Sequence, residues 1–325
     1  MAAKAGKSGR PRSTRRRSDD DRTGNLLDIT GALKTAPCVP ALREAVKAWR
    51  AGGYKGVTET TRRLLAHWFQ SDHKLATGAR FAYHAAQREA IETLVFVWEF
   101  EKVRTRKALL ERYALDVRDV PLPAADDFPR YCVKMATGSG KTKVMALAVA
   151  WQFLNAQREP EEVAREYART FLVIAPNVIV FERLRTDFDG GRIFRAAPIV
   201  PRDLEIFWDF DCVLRGEGEK AHAPGTLFLT NIRQFYEREG AADAAEPDAM
   251  TAVLGSRPPA KKLEPTDFAE RIGLREGPLV VINDEAHHTH DETNEWNAVI
   301  GRLHATTPLA AQIDFSATPR FTRGA

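Results

Sequence analysis

The spacing of hydrophobic residues divides the chain into a helical part and a part in which strands and helices alternate. From Val39 to about Leu115, apolar residues recur every three or four positions, as in ALREAVKAW and TRRLLAHWF, which predicts several amphipathic helices. After the proline-rich segment VPLPAADDFP, short apolar runs are each followed by turn residues and a helix-like stretch. These runs are RYCVKM, TFLVIAP, GTLFLTN, PLVVIND and AQIDFSA.

This alternation predicts an α/β fold. Runs that are apolar at consecutive positions are typical of parallel strands covered on both faces, as in doubly wound sheets. We therefore expect a disordered basic tail at residues 1–24, a helical N-terminal region at 25–118 and an α/β lobe at 119–325. Residues 238–275 lack periodicity and are rich in Ala, Pro and Asp, which favours a flexible surface insertion within that lobe.

Composition narrows the class of protein. The 325 residues are 44% hydrophobic, enough for one or two packed cores. No apolar stretch reaches the length of a membrane span, and the first residues lack the apolar segment of a secretory signal, so we expect a cytoplasmic protein without membrane contact. The three cysteines stand far apart without a CxxC pair, which argues against disulfides or a thiolate zinc site.

The net charge of +4 does not by itself indicate a nucleic-acid groove. Residues 1–22 hold eight Lys or Arg and three Asp, a net charge of +5, which leaves about −1 for the remainder. The tail could contact phosphate backbones, but a solvated, disordered end is the simpler explanation of its composition. Any basic groove must therefore come from local clustering of charge.

The strongest local signal is MATGSGKT at residues 135–142, between the predicted strand RYCVKM and the helix-like KTKVMALAVAWQFL. Glycines here let the backbone turn without a Cβ clash, so that successive N–H groups can point at phosphate oxygens. The following helix N-terminus adds partial positive charge. The loop residues predicted to hold the phosphates are Thr137, Gly138, Ser139 and Gly140.

The last two residues of this motif carry specific roles in phosphate chemistry. Lys141 is predicted to reach the β- and γ-phosphates of ATP, and Thr142 to offer its hydroxyl to Mg²⁺. Met135 departs from the general form of the loop, in which glycine holds the first position. ATP and Mg²⁺ are therefore the predicted cofactors.

Two adjacent carboxylates, Asp284 and Glu285, follow the apolar run PLVVIND. Ligands of open α/β sheets bind at the carboxyl ends of the strands, which is where this pair is predicted to lie. We expect Asp284 to hold Mg²⁺ through its water shell. Glu285 is expected to orient or deprotonate the water that attacks the γ-phosphate.

Residues after the next strand could transmit the state of the nucleotide. Ser316 and Thr318 close the run AQIDFSAT, and their hydroxyls could bond to the acidic turn. His287, two residues after Glu285, is the predicted link between the two motifs. The tripeptide SAT is too short to be informative except by its order and strand-end position.

Together these motifs resemble those of superfamily 2 helicases and translocases. MATGSGKT is similar to their motif I, DEAH to motif II, SAT to motif III, TFLVIAPNVIVFERLRTDF to motif Ia and LFLTNIRQFYER to motif Ib. FAYHAAQREAI is similar to the Q motif, with Gln87 as the candidate adenine-reading amide. Within the superfamily, the chain looks most like the motor subunit of type III restriction enzymes, then the type I motor, over residues 40–322.

The resemblance implies a RecA-like P-loop NTPase lobe with a helical lead-in, and it implies double-stranded DNA and a methyltransferase subunit as partners. It places two loops against the nucleic-acid backbone, one containing Pro176 and Asn177 and the other Thr230 and Asn231. Ordinary loop chemistry is the alternative for both pairs. Arg183, Arg185 and Arg233 could add charge there or could be solvated surface residues.

By the same resemblance, a complete motor has a second lobe whose arginines stabilise the transferring phosphoryl group, a contribution of about 10³–10⁵ in rate. Seven residues follow Thr318, so we expect a truncated fragment that binds ATP weakly and hydrolyses it poorly. The one Pro-Asp pair, Pro247-Asp248, has no ExK cluster after it, so nuclease activity is expected only of a longer parent. The alternatives are a repair or RNA helicase, and a non-hydrolysing scaffold for nucleotide and nucleic acid.

Overall fold

The computed structural model describes residues 37–114, 127–214, 222–231, 268–286 and 293–317. Four helices and a short hairpin form the N-terminal part of these residues. The helices are α1 (Val39–Ala51), α2 (Glu59–Gln70), α3 (Ala85–Val95), which continues into a π-helical turn at Phe96–Phe100, and α4 (Arg106–Tyr113). The hairpin strands β1 (His73–Lys74) and β2 (Arg80–Phe81) lie between α2 and α3.

The remaining strands form one sheet. They are β3 (Arg130–Lys134), β4 (Thr170–Ala175), β5 (Phe210–Leu214), β6 (Gly225–Asn231), β7 (Leu279–Asn283) and β8 (Leu309–Ser316). Their order is β3-β8-β7-β4-β6-β5, and every neighbouring pair is parallel. The connecting helices are α5 (Lys141–Arg158), α6 (Glu161–Ala164), α7 (Val178–Phe188), α8 (Arg192–Ala196), α9 (Phe268–Gly273) and α10 (Thr293–Thr306).

The predicted α/β class with a doubly wound parallel sheet is confirmed, and all five predicted apolar runs are strands. In β4, Phe171 and Val173 pack into one core on one face of the sheet, while Leu172 and Ile174 pack into a second core on the opposite face. This alternation explains why the strand is apolar at every position. Strand β5 was not expected from the sequence; it lies at the sheet edge, where Phe210, Asp211 and Cys212 are only partly buried.

The helical N-terminal part packs against α5 through a shared core and a buried polar network. Glu99 accepts hydrogen bonds from Thr61 Oγ1 at 2.8 Å and from Trp151 Nε1 at 3.1 Å, joining the π-helical turn to α2 and α5. Such networks specify one arrangement when all their members are bonded. Helix α5, whose N-terminus follows the glycine-rich loop, is therefore fixed in position by the N-terminal helices.

Residues 238–267 of the predicted insertion at 238–275 lie outside the described residues. The last residues of the insertion include α9, and Ile272 on this helix is fully buried in the second core. The basic tail at 1–24 also lies outside the described residues. Among the helices of the described part, none combines the length and the apolar character needed to cross a bilayer.

Candidate functional site

The glycine-rich loop joins the carboxyl end of β3 to the start of α5. Gly138 and Gly140 have φ values of +78° and +84°, in the left-handed region that glycine adopts without strain. The loop is closed by a hydrogen bond from Ser139 N–H to the Ala136 carbonyl at 3.2 Å. Thr137 and Gly138 are exposed, so the loop has the conformation and the accessibility that phosphate binding requires.

Lys141, the first residue of α5, contacts the acidic turn after β7. Its Nζ lies 2.5 Å from Glu285 Oε1, and both side chains are at least nine-tenths buried. Glu285 has a φ of +49°, which is uncommon for a residue other than glycine and costs about 1–2 kcal/mol. Its N–H donates to Asp284 Oδ1 at 3.0 Å, which helps to hold this conformation.

Asp284 has a different cationic partner, Arg183 on α7. The guanidinium donates from Nη2 to Asp284 Oδ2, and the Asp284 side chain is fully buried while that of Arg183 is 49% exposed. Burial raises the pKa of Asp284, and the positive charge of Arg183 opposes this shift. Each carboxylate of the acidic turn therefore has its own cation, and the two cations come from two different helices.

Gln87 is bonded to the glycine-rich loop through its side-chain amide. Its Nε2 donates to the Ser139 carbonyl at 3.0 Å, while its Oε1 accepts from the His84 N–H at 2.9 Å at the start of α3. Gln87 is buried, and a Cβ built on Gly140 would lie 2.1 Å from Nε2. Both ends of the amide thus contact the main chain, an arrangement that sequence reasoning did not anticipate.

Thr142 is the second residue of α5 and is partly buried. With Asp284 it offers a hydroxyl and a carboxylate, the hard oxygen donors that Mg²⁺ prefers. Because β3 and β7 are parallel, the loop and the acidic turn lie at the same edge of the sheet, and the contact between Lys141 and Glu285 shows that they are adjacent. The donor set therefore fits Mg²⁺.

The predicted coupling residues are only partly within the described residues. Ser316 ends β8, and its carbonyl accepts a hydrogen bond from Met135 N–H at 2.9 Å, immediately before the glycine-rich loop. Ser316 is therefore next to the start of the phosphate-binding loop. His287 and Thr318 lie outside the described residues.

The two candidate nucleic-acid segments differ from each other. Pro176 and Asn177 form the turn between β4 and α7, where Asn177 Oδ1 caps the helix by accepting from Val180 N–H at 2.9 Å. Thr230 and Asn231, predicted to be in a loop, are instead the last residues of β6, and both are buried. This is a correction: the strand pairs with Ile174 and Ala175 to its end, so neither side chain is at the surface.

The contact between Arg183 and Asp284 is another feature of the candidate site that the sequence did not reveal. From the sequence, Arg183 is a candidate only for adding positive charge near the nucleic-acid backbone. It is separated from Asp284 by 101 residues. Arg185 does pair locally, with Glu182 at 3.6 Å, and Arg233 lies outside the described residues. The order β7-β4, which brings α7 next to the acidic turn, was the missing information.

Comparison with known proteins agrees with this geometry. A family model described as the type III restriction enzyme, res subunit, matches residues 80–321. The matched region includes Gln87, the glycine-rich loop and the acidic turn. No curated protein matches the chain.

Proposed function

Because the chain belongs to the family of type III restriction enzyme res subunits, we propose that it is an ATP-hydrolysing DNA translocase or helicase domain of a restriction-type motor. The observation that carries this proposal is the contact between Lys141 and Glu285, which joins the phosphate-binding loop to the acidic turn. We also propose double-stranded DNA and a methyltransferase subunit as partners, and the cytoplasm as the location.

In this proposal, the triphosphate lies on the loop formed by residues 137–140. The left-handed glycines aim main-chain N–H groups at the phosphate oxygens, and the N-terminus of α5 adds favourable partial charge. Thr142 and Asp284 would hold Mg²⁺, which neutralises charge on the transferring phosphoryl group when it is bound. Ser316 would sense changes in this region through its contact with the start of the loop.

Lys141 would exchange partners when the nucleotide binds. In the structure, its ammonium group is held by Glu285. A triphosphate carries more negative charge than one carboxylate, so the ammonium should move towards the β- and γ-phosphates. The Glu285 carboxylate, released by Lys141, would then accept a proton from the attacking water. ATP binding would thus activate the base that the reaction needs.

DNA is proposed to bind beside α7, at the turn formed by Pro176 and Asn177. The capped N-terminus of α7 leaves N–H groups of its first turn for a phosphate oxygen. Val178 and Ile179 are exposed in the same turn, so this end of the helix is accessible. Because Thr230 and Asn231 are buried, they support β6 in this proposal and do not contact DNA directly.

The test combines hydrolysis and binding measurements on Glu285→Gln, with Glu182→Gln on the surface of α7 as the control. We expect Glu285→Gln to keep nucleotide affinity and to lose at least about 10²-fold in any ATP turnover. Normal turnover by Glu285→Gln would contradict the assigned role. Stimulation of ATP turnover by duplex DNA supports the translocase, whereas stimulation by RNA alone supports an RNA helicase. Nucleotide binding without turnover in the wild-type protein supports a scaffold.

A further inference from the structure

The partner of Asp284 has a consequence for metal binding. Arg183 reaches the fully buried Asp284 carboxylate from α7, while its own side chain is half-exposed. A buried carboxylate is strongly destabilising unless a cation accompanies it. In the structure, Arg183 supplies that cation.

We propose that Arg183 is an internal counter-ion of the metal site: it holds Asp284 in the nucleotide-free protein and must release it when Mg²⁺ binds. This inference rests on the proposed function, because it takes Asp284 as the carboxylate that faces the Mg²⁺ water shell. Arg183 is thus a positioning residue that sets the Mg²⁺ concentration at which the site is half-filled.

The two cations compete because they need the same oxygen atoms. Asp284 Oδ1 accepts from Glu285 N–H and Oδ2 accepts from Arg183, so a Mg²⁺ water shell that faces Asp284 meets a carboxylate on which Arg183 already occupies one oxygen. A guanidinium and a divalent cation at neighbouring positions repel each other, and the repulsion is stronger where water is excluded. Mg²⁺ therefore binds to Asp284 most favourably after Arg183 has moved.

Arg183 has a second carboxylate to move to. Asp187 lies one turn later on α7, and residues four apart face the same side of a helix. Burial raises the pKa of Asp187, and the positive charges of Lys143, Arg183 and Arg192 oppose this shift. In this proposal, rotation of the Arg183 side chain towards Asp187 and solvent accomplishes the exchange.

The experiment measures binding of a fluorescent, non-hydrolysable ATP analogue to the full chain while the Mg²⁺ concentration is varied. In Arg183→Gln, the Mg²⁺ concentration at half-maximal binding should fall several-fold, because the competing cation is gone. Arg183→Lys retains the charge and should stay close to wild type. Arg185→Gln is the matched control on the same helix, with 48% of its side chain exposed, and should not change the midpoint.

Thermal unfolding with Mg²⁺ alone provides a second readout. Arg183→Gln leaves Asp284 without its counter-ion, so we expect Mg²⁺ to raise its melting temperature more than that of wild type. If the variant is unfolded in metal-free buffer, Mg²⁺ should restore its far-UV circular dichroism, and failure to do so overturns the inference. An unchanged Mg²⁺ midpoint, or an equal shift in Arg185→Gln, also overturns it.

These results separate the inference from the proposed function. If wild-type protein binds no nucleotide, or if Lys141→Ala binds it equally well, the proposed function fails. If binding depends on Lys141 and Mg²⁺ but Arg183→Gln has the wild-type midpoint, only the role of Arg183 fails.

Discussion

Lys141 Nζ lies 2.5 Å from Glu285 Oε1, although 144 residues separate them in the chain. In this conformation the residue proposed to bind phosphate neutralises the residue proposed to activate water. Both side chains are buried, so neither charge is compensated by solvent. The structure therefore holds these two groups in a mutually bonded state, and in the proposed function ATP opens this pair.

This pair should be energetically coupled in the absence of nucleotide. Lys141→Met alone should lower the free energy of unfolding by about 3–5 kcal/mol, because Glu285 loses its cation in a buried site. The double variant Lys141→Met/Glu285→Gln should be more stable than the sum of the single changes predicts. Urea unfolding in metal-free buffer measures the cycle, and additive single effects would show that the contact does not exist in solution.

The glycine-rich loop offers a matched pair of substitutions. Gly138 and Gly140 both have positive φ, so alanine at either position should cost about 1–2 kcal/mol in backbone strain. Alanine at 140 would also place its Cβ 2.1 Å from Gln87 Nε2, whereas at 138 nothing lies within 4 Å. Gly140→Ala should therefore lower the melting temperature more than Gly138→Ala.

The clash at Gly140 can be tested independently of backbone strain. Adding Gln87→Ala removes the amide that the new Cβ meets, so it should reduce the difference between the two glycine variants. If Gly138→Ala and Gly140→Ala are equally destabilising with Gln87 present, the close approach of Gln87 to the loop is not real.

Gln87 should support the loop more than it reads the base. Its amide oxygen and nitrogen both bond to the main chain, at His84 N–H and the Ser139 carbonyl. We expect Gln87→Ala to weaken ATP and GTP binding by the same factor, because the phosphate-binding loop loses the hydrogen bond that supports it. Fluorescence titration with both nucleotides decides this, and a selective loss of ATP affinity would favour the adenine contact implied by the Q-motif resemblance.

His67 on α2 should make stability depend on pH. Burial, together with the neighbouring His73, lowers its pKa to about 4, against about 6.5 in an unfolded chain. The unfolded state therefore binds more protons between these values, so the contribution of His67 is complete above about pH 6.5 and is lost as the pH falls towards 4. His67→Gln should show a smaller loss of unfolding free energy than wild type between pH 7 and pH 5.

A control at the exposed His222 isolates this effect. His222→Gln should keep the pH dependence of wild type in the same denaturation experiments. If His67→Gln and wild type lose stability in parallel, protonation of His67 does not contribute to unfolding.

Local patterns were sufficient to predict the strands that carry the site. The glycine-rich loop needs a strand, a turn and a helix that are consecutive in sequence, so its context could be recognised directly. The acidic turn followed another buried strand, and the carboxyl ends of parallel strands lie at one edge of a sheet. Those two rules place Lys141 and Glu285 at the same edge of the sheet without knowledge of the strand order.

Contacts that depend on strand order or side-chain direction could not be predicted in this way. Arg183 meets Asp284 only because β4 lies next to β7, and the sequence alone leaves that order open. Thr230 and Asn231 looked like turn residues, yet pairing with β4 continues through them. The division into regions at residues 24 and 118, and the roles of His287 and Thr318, remain predictions.

The most direct test of the central claim is the affinity of the protein for a non-hydrolysable ATP analogue in the presence of Mg²⁺. Calorimetry gives the dissociation constant for wild type and for Lys141→Ala. Loss of the ammonium that faces the phosphates should weaken binding by at least about tenfold, equivalent to about 1.4 kcal/mol. Circular dichroism must show that the variant is folded. Equal affinity of the folded variant and wild type would contradict a phosphate site built from Lys141 and the acidic turn.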